Sequence, residues 1–270
     1  MAATGTVLGT REIGRRRTLR TTLYNLYFRA EKIITPNLRS SQYAYYEALR
    51  AQLTPAKRWL DMGCGHQVFA DWMTREQQIV VAQSRLVAGI DLDWQGLRNH
   101  AAINRRVFGD LSRLPFTPGS WDVLSANMVV EHLQDPDSVL REVHRVLSPG
   151  GTFVFHTPNF YHWGTLVARA LPDRLKKRLV RLFEGRVEAD VFETHYQMNT
   201  AAEVRRRARA AGFEVVELRH VNSSATLKVL GPVVLLELLY IRLIEHPRLA
   251  QLRSGLVVTL RKLPSSGMRA

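Results

Sequence analysis

The octapeptide Leu60-Asp61-Met62-Gly63-Cys64-Gly65-His66-Gln67 follows a short apolar run. Glycines at 63 and 65 let a backbone turn tightly and approach a ligand closely, because no Cβ intervenes. Asp61 stands two positions ahead of the first glycine. That placement suits a ligand with a cationic amino acid portion, around whose ammonium group the acid orders the loop. Asp91 ends the next apolar run, where a carboxylate can accept from both hydroxyls of a ribose, and Asp93 is its near rival. A third run leads into Gly109-Asp110-Leu111. There Asp110 can accept from an adenine amino group while the Leu111 N–H donates to a ring nitrogen.

A second set of residues could move a proton. His132 lies just beyond a fourth apolar run and is the leading base, since a neutral imidazole takes a proton near pH 7; packing of the following turn is its other reading. Glu131 either orients it or faces solvent, and the solvent is favoured. His156 closes a fifth run and is either near the same mouth or a satisfied strand-end histidine. His195 and Tyr196 belong to Phe192-Glu193-Thr194-His195-Tyr196, a polar and aromatic stretch suited to closing over an acceptor or to simple loop packing. The histidines have no metal-ligand spacing and Cys64 is the lone cysteine, so no metal is expected. A serine elbow and a Walker loop are both missing, which argues against acyl hydrolysis and phosphoryl transfer.

These residues need a scaffold that brings strand ends together. Strands are expected near 58–62, 86–91, 106–109, 121–126 and 152–156, each of the first four followed by turn residues and a helical stretch. Such alternation implies parallel strands joined by crossovers, with ligands at the carboxyl ends. The clearest helix follows Pro136, with Val139, Leu140, Val143, Val146 and Leu147 on one face and Pro149-Gly150-Gly151 as its stop. Upstream, residues 21–53 read as two helices separated by Pro36. Downstream, 159–185 reads as a basic amphipathic helix with Arg174, Lys176, Lys177, Arg178 and Arg181. A helix over 200–211 capped by Gly212, a strand over 214–220, an apolar stretch over 229–244 and a strand over 256–260 complete the chain. The organisation expected is a basic tail over 1–20 and one domain over 21–270, divided into N-terminal helices (21–57), a cofactor-binding core (58–158) and an acceptor-side region (159–270).

At 270 residues with 46% apolar and 23% charged residues, the chain can bury one substantial core, which excludes a disordered or fibrous protein. A single cysteine excludes an internal disulfide framework and favours the cytoplasm. The first twenty residues lack the apolar segment of a secretion signal. A formal charge of +14 calls for an anionic partner, whether polyphosphate, nucleic acid or a membrane face, unless it is only a taste for arginine on solvated surfaces.

Taken in order, Trp59 to Gly65, Gly89-Ile90-Asp91, Gly109-Asp110 with Leu114-Pro115-Phe116, Ser120-Trp121-Asp122-Val123, Val130-Glu131-His132-Leu133, Leu147 to Gly151 and Thr157-Pro158-Asn159 resemble the class I S-adenosylmethionine-dependent methyltransferases, in the branch of quinone and other small-molecule methylases. The resemblance covers about 100 residues. It implies an α/β, Rossmann-like, seven-stranded, mostly parallel sheet with helices on both faces. It also implies S-adenosyl-L-methionine as cofactor, with Asp61, Gly63 and Gly65 around its methionine portion, Asp91 on the ribose, Asp110 on the adenine and Asn127 at the mouth of the fourth strand. Gln67 stands where the family has a third glycine.

The expected reaction is methyl transfer to oxygen or carbon of a small-molecule acceptor such as a quinone, a lipid-linked compound or a saccharide. The basic helix and the apolar stretch over 229–244 would dock a lipid-borne acceptor's membrane, on its inner, anionic face; a buried core helix is the plainer reading of the apolar stretch. Alternatives are an RNA or protein methylase and a nucleoside-binding module without turnover. Nucleic acid is the less favoured partner, because Asn127-Met128-Val129-Val130 replaces the Asn-Pro-Pro-aromatic motif of amino-group methylases.

Overall fold

Alternate residues of a strand face opposite sides of its sheet, and here apolar groups fill both sides. The computed structural model of the chain describes residues 24–171, 193–228 and 232–264. Within them β1 (Arg58–Met62), β2 (Leu86–Asp91), β3 (Arg105–Phe108), β4 (Trp121–Asn127), β5 (Leu147–Pro158), β6 (Phe213–Val221) and β7 (Gly255–Lys262) form one sheet in the order β3-β2-β1-β4-β5-β7-β6. Pairings from β3 through β5 are parallel, and β7 runs antiparallel to both of its neighbours. The reversal of β7 brings the end of β6 and the start of β7 to the same edge as the carboxyl ends of β1 to β5.

The rows divide cleanly. Leu60, Met62, Leu124, Ala126, Phe153 and Phe155 face α5 (Pro136–Val146) and α7 (Ala201–Ala210). Trp59, Val123, Val154 and Val257 face α2 (Ser41–Gln52) and α3 (Thr74–Ala82). Helix α5 forms where its sequence directs. The Asp135 side chain accepts from the N–H groups of Asp137 and Ser138, Pro136 starts the first turn, and Val139, Leu140, Val143 and Val146 are buried. It ends sooner than its glycines suggest: Leu147 is already extended and paired with Trp121, so Pro149-Gly150-Gly151 lies in a bulge of β5 before pairing resumes at Val123 and Thr152.

At the N-terminal side, helical residues 24–34, here α1, precede α2, with the break near Pro36. A short helix α4 (Trp94–Arg98) follows β2. Past β5, α6 (Trp163–Ala170) stops at Leu171, so the expected long helix over 159–185 is already interrupted there; its basic portion, like the basic tail over 1–20, lies outside the described residues. Helix α8 (Val233–Ile244) sits between β6 and β7 and is buried on one side only, which corrects the plainer expectation of a core helix. Among the described residues no helix is long and apolar enough to cross a membrane.

Candidate active site

The turn after β1 is built by backbone that only glycine accepts readily. Gly63 and Gly65 have φ of +63° and +49°, and a Cβ on Gly63 would stand 2.5 Å from a Val129 methyl. Gly63 N–H donates to the Ile90 carbonyl at 2.8 Å, which ties the turn to the end of β2. Asp91 completes the tie, accepting from the N–H groups of Gly65 and Asp93 at 2.7 Å each. Its rival Asp93 is occupied differently, as the cap of α4, accepting from Gln95 N–H. Open space stands above Gly65.

Asp110 is exposed and accepts from the Ser112 N–H and hydroxyl at 2.9 and 2.6 Å. Those donors hold its carboxyl below the usual range, so it is ionised at neutral pH. Leu111 beside it is nearly buried. Three large apolar groups are left facing solvent between these acids: Leu92, Trp94 and Phe108, the last two edge to face at 6.4 Å. Carboxylates at two strand tips with an apolar wall between them fit a ribose joined to a flat base, and the open glycine turn fits the extended tail of the same ligand.

Below the turn lies a polar layer on the α2 side of the sheet, created by period-two spacing. Continuing the apolar rows outward, Trp59 leads to Asp61, Val123 to Ser125 and Asn127, and Val154 to His156. Register places Asp61 beside Ser125 and Asn127 beside His156. Trp59 Nε1 donates to Ser125 Oγ at 2.7 Å, and Ser125 donates to Asp61 at 2.5 Å. Burial, with a smaller contribution from Asp91, pushes the Asp61 carboxyl up to about 7 despite the Ser125 bond.

Asn127 is held on every side. Its amide nitrogen donates to the Val68 carbonyl and to Gln42 Oε1 at 2.9 Å each, and its oxygen accepts from Gln42 Nε2 at 3.2 Å. That fixes the amide, so His156 Nδ1, 3.0 Å from the same oxygen, carries the proton and donates. Burial lowers His156 to about 4, which keeps it neutral. The structure thus sets His156 in the polar layer, stacked on the Tyr45 ring at 6.0 Å.

His132 occupies a short 3₁₀ turn, Val130–His132, just past the end of β4. Met128 before it has φ of +59°, an unusual conformation for a side chain of its size. His132 Nδ1 lies 2.7 Å from the Glu193 carbonyl, so that nitrogen bears the hydrogen and the neutral ring keeps its lone pair on Nε2. Burial is the main cause lowering the His132 pKa, and His195 nearby acts in the same direction. Glu131 corrects the expectation that it faces solvent: it is 3% exposed, accepts from Thr157 Oγ1 at 3.0 Å and stands 4.0 Å from His132 Nε2. Burial pushes its carboxyl up to about 7. Its backbone carbonyl accepts from the N–H groups of His195 and Tyr196 at 2.7 and 3.1 Å. These bonds seat His195 and Tyr196 against the His132 turn.

Gln42, Tyr45, Ser125 and Asn199 belong to this region and lie outside every motif stretch, while Thr157 lies in one of them. Asn199, fully buried, donates to Thr157 Oγ1 and the Pro158 carbonyl at 2.8 Å each. The row spacing from Val123 to Ser125 is a sequence signal for one of them; the others depend on long-range packing. Cys64 is buried with its Sγ against Gly89, and burial pushes its thiol up, which makes it a packing group. A cavity of about 430 Å³ opens at the same edge, between the start of α2 and the end of β6, with Arg39, Tyr43, His220 and Arg253 in its wall. Among the described residues no cluster of histidine, cysteine and acidic side chains could hold a metal ion.

Residues 38–218 match the family model described as "Methyltransferase domain". A probable S-adenosylmethionine-dependent methyltransferase of Mycolicibacterium smegmatis is 36% identical over 103 residues, 37% of this chain and 37% of that protein. A ubiquinone biosynthesis O-methyltransferase of Thiobacillus denitrificans is 27% identical over 181 residues, covering 64% of this chain and 71% of the relative. The chain therefore spans just over a third of the first relative and most of the second. Among solved structures, an S-adenosylmethionine-dependent methyltransferase from Mesorhizobium loti superposes with a TM-score of 0.52 at 23% identity, over 81% of this chain and 98% of that one, a likeness of fold. With two thirds of its length inside the family model and its strand ends arranged as described, the chain belongs to the methyltransferase domain family, whose cofactor is S-adenosylmethionine.

Proposed function

We propose that this protein transfers the methyl group of S-adenosyl-L-methionine to an oxygen or carbon of a small-molecule acceptor, with His132 as general base. The observation that carries the reading is the convergence, at one edge of the sheet, of the Gly63–Gly65 turn, the Asp91 and Asp110 carboxylates and a histidine whose basic nitrogen is defined by its neighbours.

The bound cofactor supplies a methyl carbon on a positively charged sulfur, which leaves as a neutral thioether. The protein's task is chiefly alignment, and orientation alone contributes about 7–11 kcal/mol in favourable intramolecular comparisons. Asp91 would hold the ribose and Asp110 with Leu111 the adenine, while Asp61 and the two glycines receive the methionine tail. Asn127 is fully committed to Gln42, Val68 and His156, so its contribution is to fix the floor beneath that tail. A hydroxyl acceptor must lose a proton as its oxygen attacks. His132 Nε2 would take it, and Glu131, 4.0 Å away and partly ionised at neutral pH, would stabilise the resulting imidazolium. His195 and Tyr196, fastened to the same turn, would border the acceptor.

The relative named for ubiquinone biosynthesis supports a phenolic hydroxyl on a quinone-type, lipid-borne acceptor, and an anionic membrane face, approached from the cytoplasm, is the partner that fits such a compound. Calorimetric titration with S-adenosylmethionine and S-adenosylhomocysteine, followed by transfer of labelled methyl into fractionated cell extract, tests the proposal. Label should enter a small-molecule or lipid fraction. Binding without any S-adenosylhomocysteine produced would leave a nucleoside-binding module, and label in RNA or protein would overturn the acceptor class.

A further inference from the structure

Apart from Glu237 and Arg242, α8 is apolar along its whole length, and such a helix needs apolar neighbours around most of its surface; α8 has them on one side only. Val234, Leu238 and Ile241 pack with Tyr27 of α1 in a small core, and buried Glu237 accepts from the N–H groups of Thr226 and Leu227 at 2.8 and 2.7 Å. The helix is thus fixed in place. Its other face carries Leu235, Leu236, Leu239 and Leu243, which are 42–68% exposed. At about 100° per residue these four fall within an arc of roughly 100°, a single continuous stripe. Isolated surface leucines need no explanation, but four together on an anchored helix mark a contact surface.

We infer that the outer face of α8 docks on an anionic bilayer, lying in the headgroup plane with its leucines toward the acyl chains. At twelve residues the helix is about 18 Å long and cannot span hydrocarbon of roughly 30 Å. Lying flat is the geometry left to it. Cations stand beside the stripe in a chain of formal charge +14: Arg242, exposed and ion-paired to Glu245, falls about 20° from Leu235 around the helix, and Arg248 is exposed just beyond it. They complement lipid phosphates, whereas in a twofold pair of this face they would be brought toward their own copies. The place is also apt. Lying between the end of β6 and the start of β7, α8 belongs to the edge that carries Asp61, Asn127 and His132, so docking through it would hold that edge near the bilayer. The inference deepens the proposed function and rests on its lipid-borne acceptor, but its test reads the surface separately from the cofactor site.

The test is flotation of the full chain with vesicles of phosphatidylcholine containing about one-third phosphatidylglycerol, and with phosphatidylcholine alone, across a salt series. The wild type should float with the anionic vesicles and less so as salt rises. Leu239→Asp with Leu243→Asp should lower partitioning by roughly tenfold or more, while calorimetric affinity for S-adenosylmethionine stays within about twofold. Leu239→Ser with Leu243→Ser serves if the aspartates impair folding. Three results would overturn the inference: no flotation of the wild type, equal flotation of the leucine variants, or a wild-type dimer in sedimentation equilibrium that these variants dissociate.

Discussion

Asp91 closes the glycine turn through Gly65 and is also the carboxylate proposed to hold the ribose. Hydrogen bonds to a charged group contribute about 1.5–3 kcal/mol each. Asp91→Ala should therefore weaken S-adenosylmethionine binding on the order of 100-fold, measured by calorimetry; unchanged affinity would remove the ribose assignment. His132 makes a different prediction because its proposed role is in the chemical step. His132→Ala should lower kcat by about 10²–10⁴ for a hydroxyl acceptor and leave cofactor affinity nearly intact. The sign of its pH dependence follows from burial, which holds its pKa below the ordinary 6.5, so the active, neutral base predominates at neutral pH. The rate should rise with pH up to that lowered value and then flatten, and the variant should lose this limb. Both residues are legible in the sequence because each stands at the end of an apolar run. Glu131 is not, since its burial depends on Thr157 and on chain from 195–196, distant in sequence.

At the scale of elements, α2 contributes to the site without carrying any motif. Its spacing announces a helix, yet nothing local says that Gln42 will pair amide to amide with Asn127 or that Tyr45 will lie on His156. Gln42→Ala should cost about 1 kcal/mol, since Asn127 keeps Val68 and His156, and it should weaken cofactor binding by loosening the floor of the turn. Glu47→Ala, on the exposed side of the same helix, breaks only a surface ion pair with Arg39 and should change stability by less than about 0.5 kcal/mol. Thermal melts of the two variants, with and without S-adenosylhomocysteine, make the comparison. By contrast the strands were readable to within a few residues, because buried parallel strands are short apolar runs bounded by turn residues. The boundary read least well was the start of β5, where Leu147 enters the sheet before the glycines rather than after them.

For the whole molecule, buried titratable groups pull stability in opposite directions. Asp61 and Glu131 have folded-state pKa values near 7, above their ordinary values, so they favour folding when protonated and that stability is lost as pH rises toward and through 7. His100, His156 and His162, held near 4 by burial, do the reverse, and their contribution is lost as pH falls below 6.5 toward 4. A variant isolates one side of this balance. Asp61→Asn should raise the apo melting temperature at about pH 8, by on the order of 2 kcal/mol in stability, and leave it nearly unchanged near pH 4. It should also weaken S-adenosylmethionine binding, since the charge costly to the empty protein is the one proposed to receive the cofactor's ammonium. A stabilising effect equal at both pH values would show that folding leaves the Asp61 pKa unshifted.

The amide pairing of Gln42 with Asn127 also imposes an order on synthesis. A nascent chain that has emerged only as far as β3 possesses the glycine turn and two strand-tip acids, but Gln42 must wait 85 residues for its counterpart, and Tyr45 longer still for the imidazole of His156. Until β4 and β5 leave the ribosome, the turn packs on the α2 aromatics alone, without Asn127 and His156, so the proposed site is completed late although its first candidate residues emerge early.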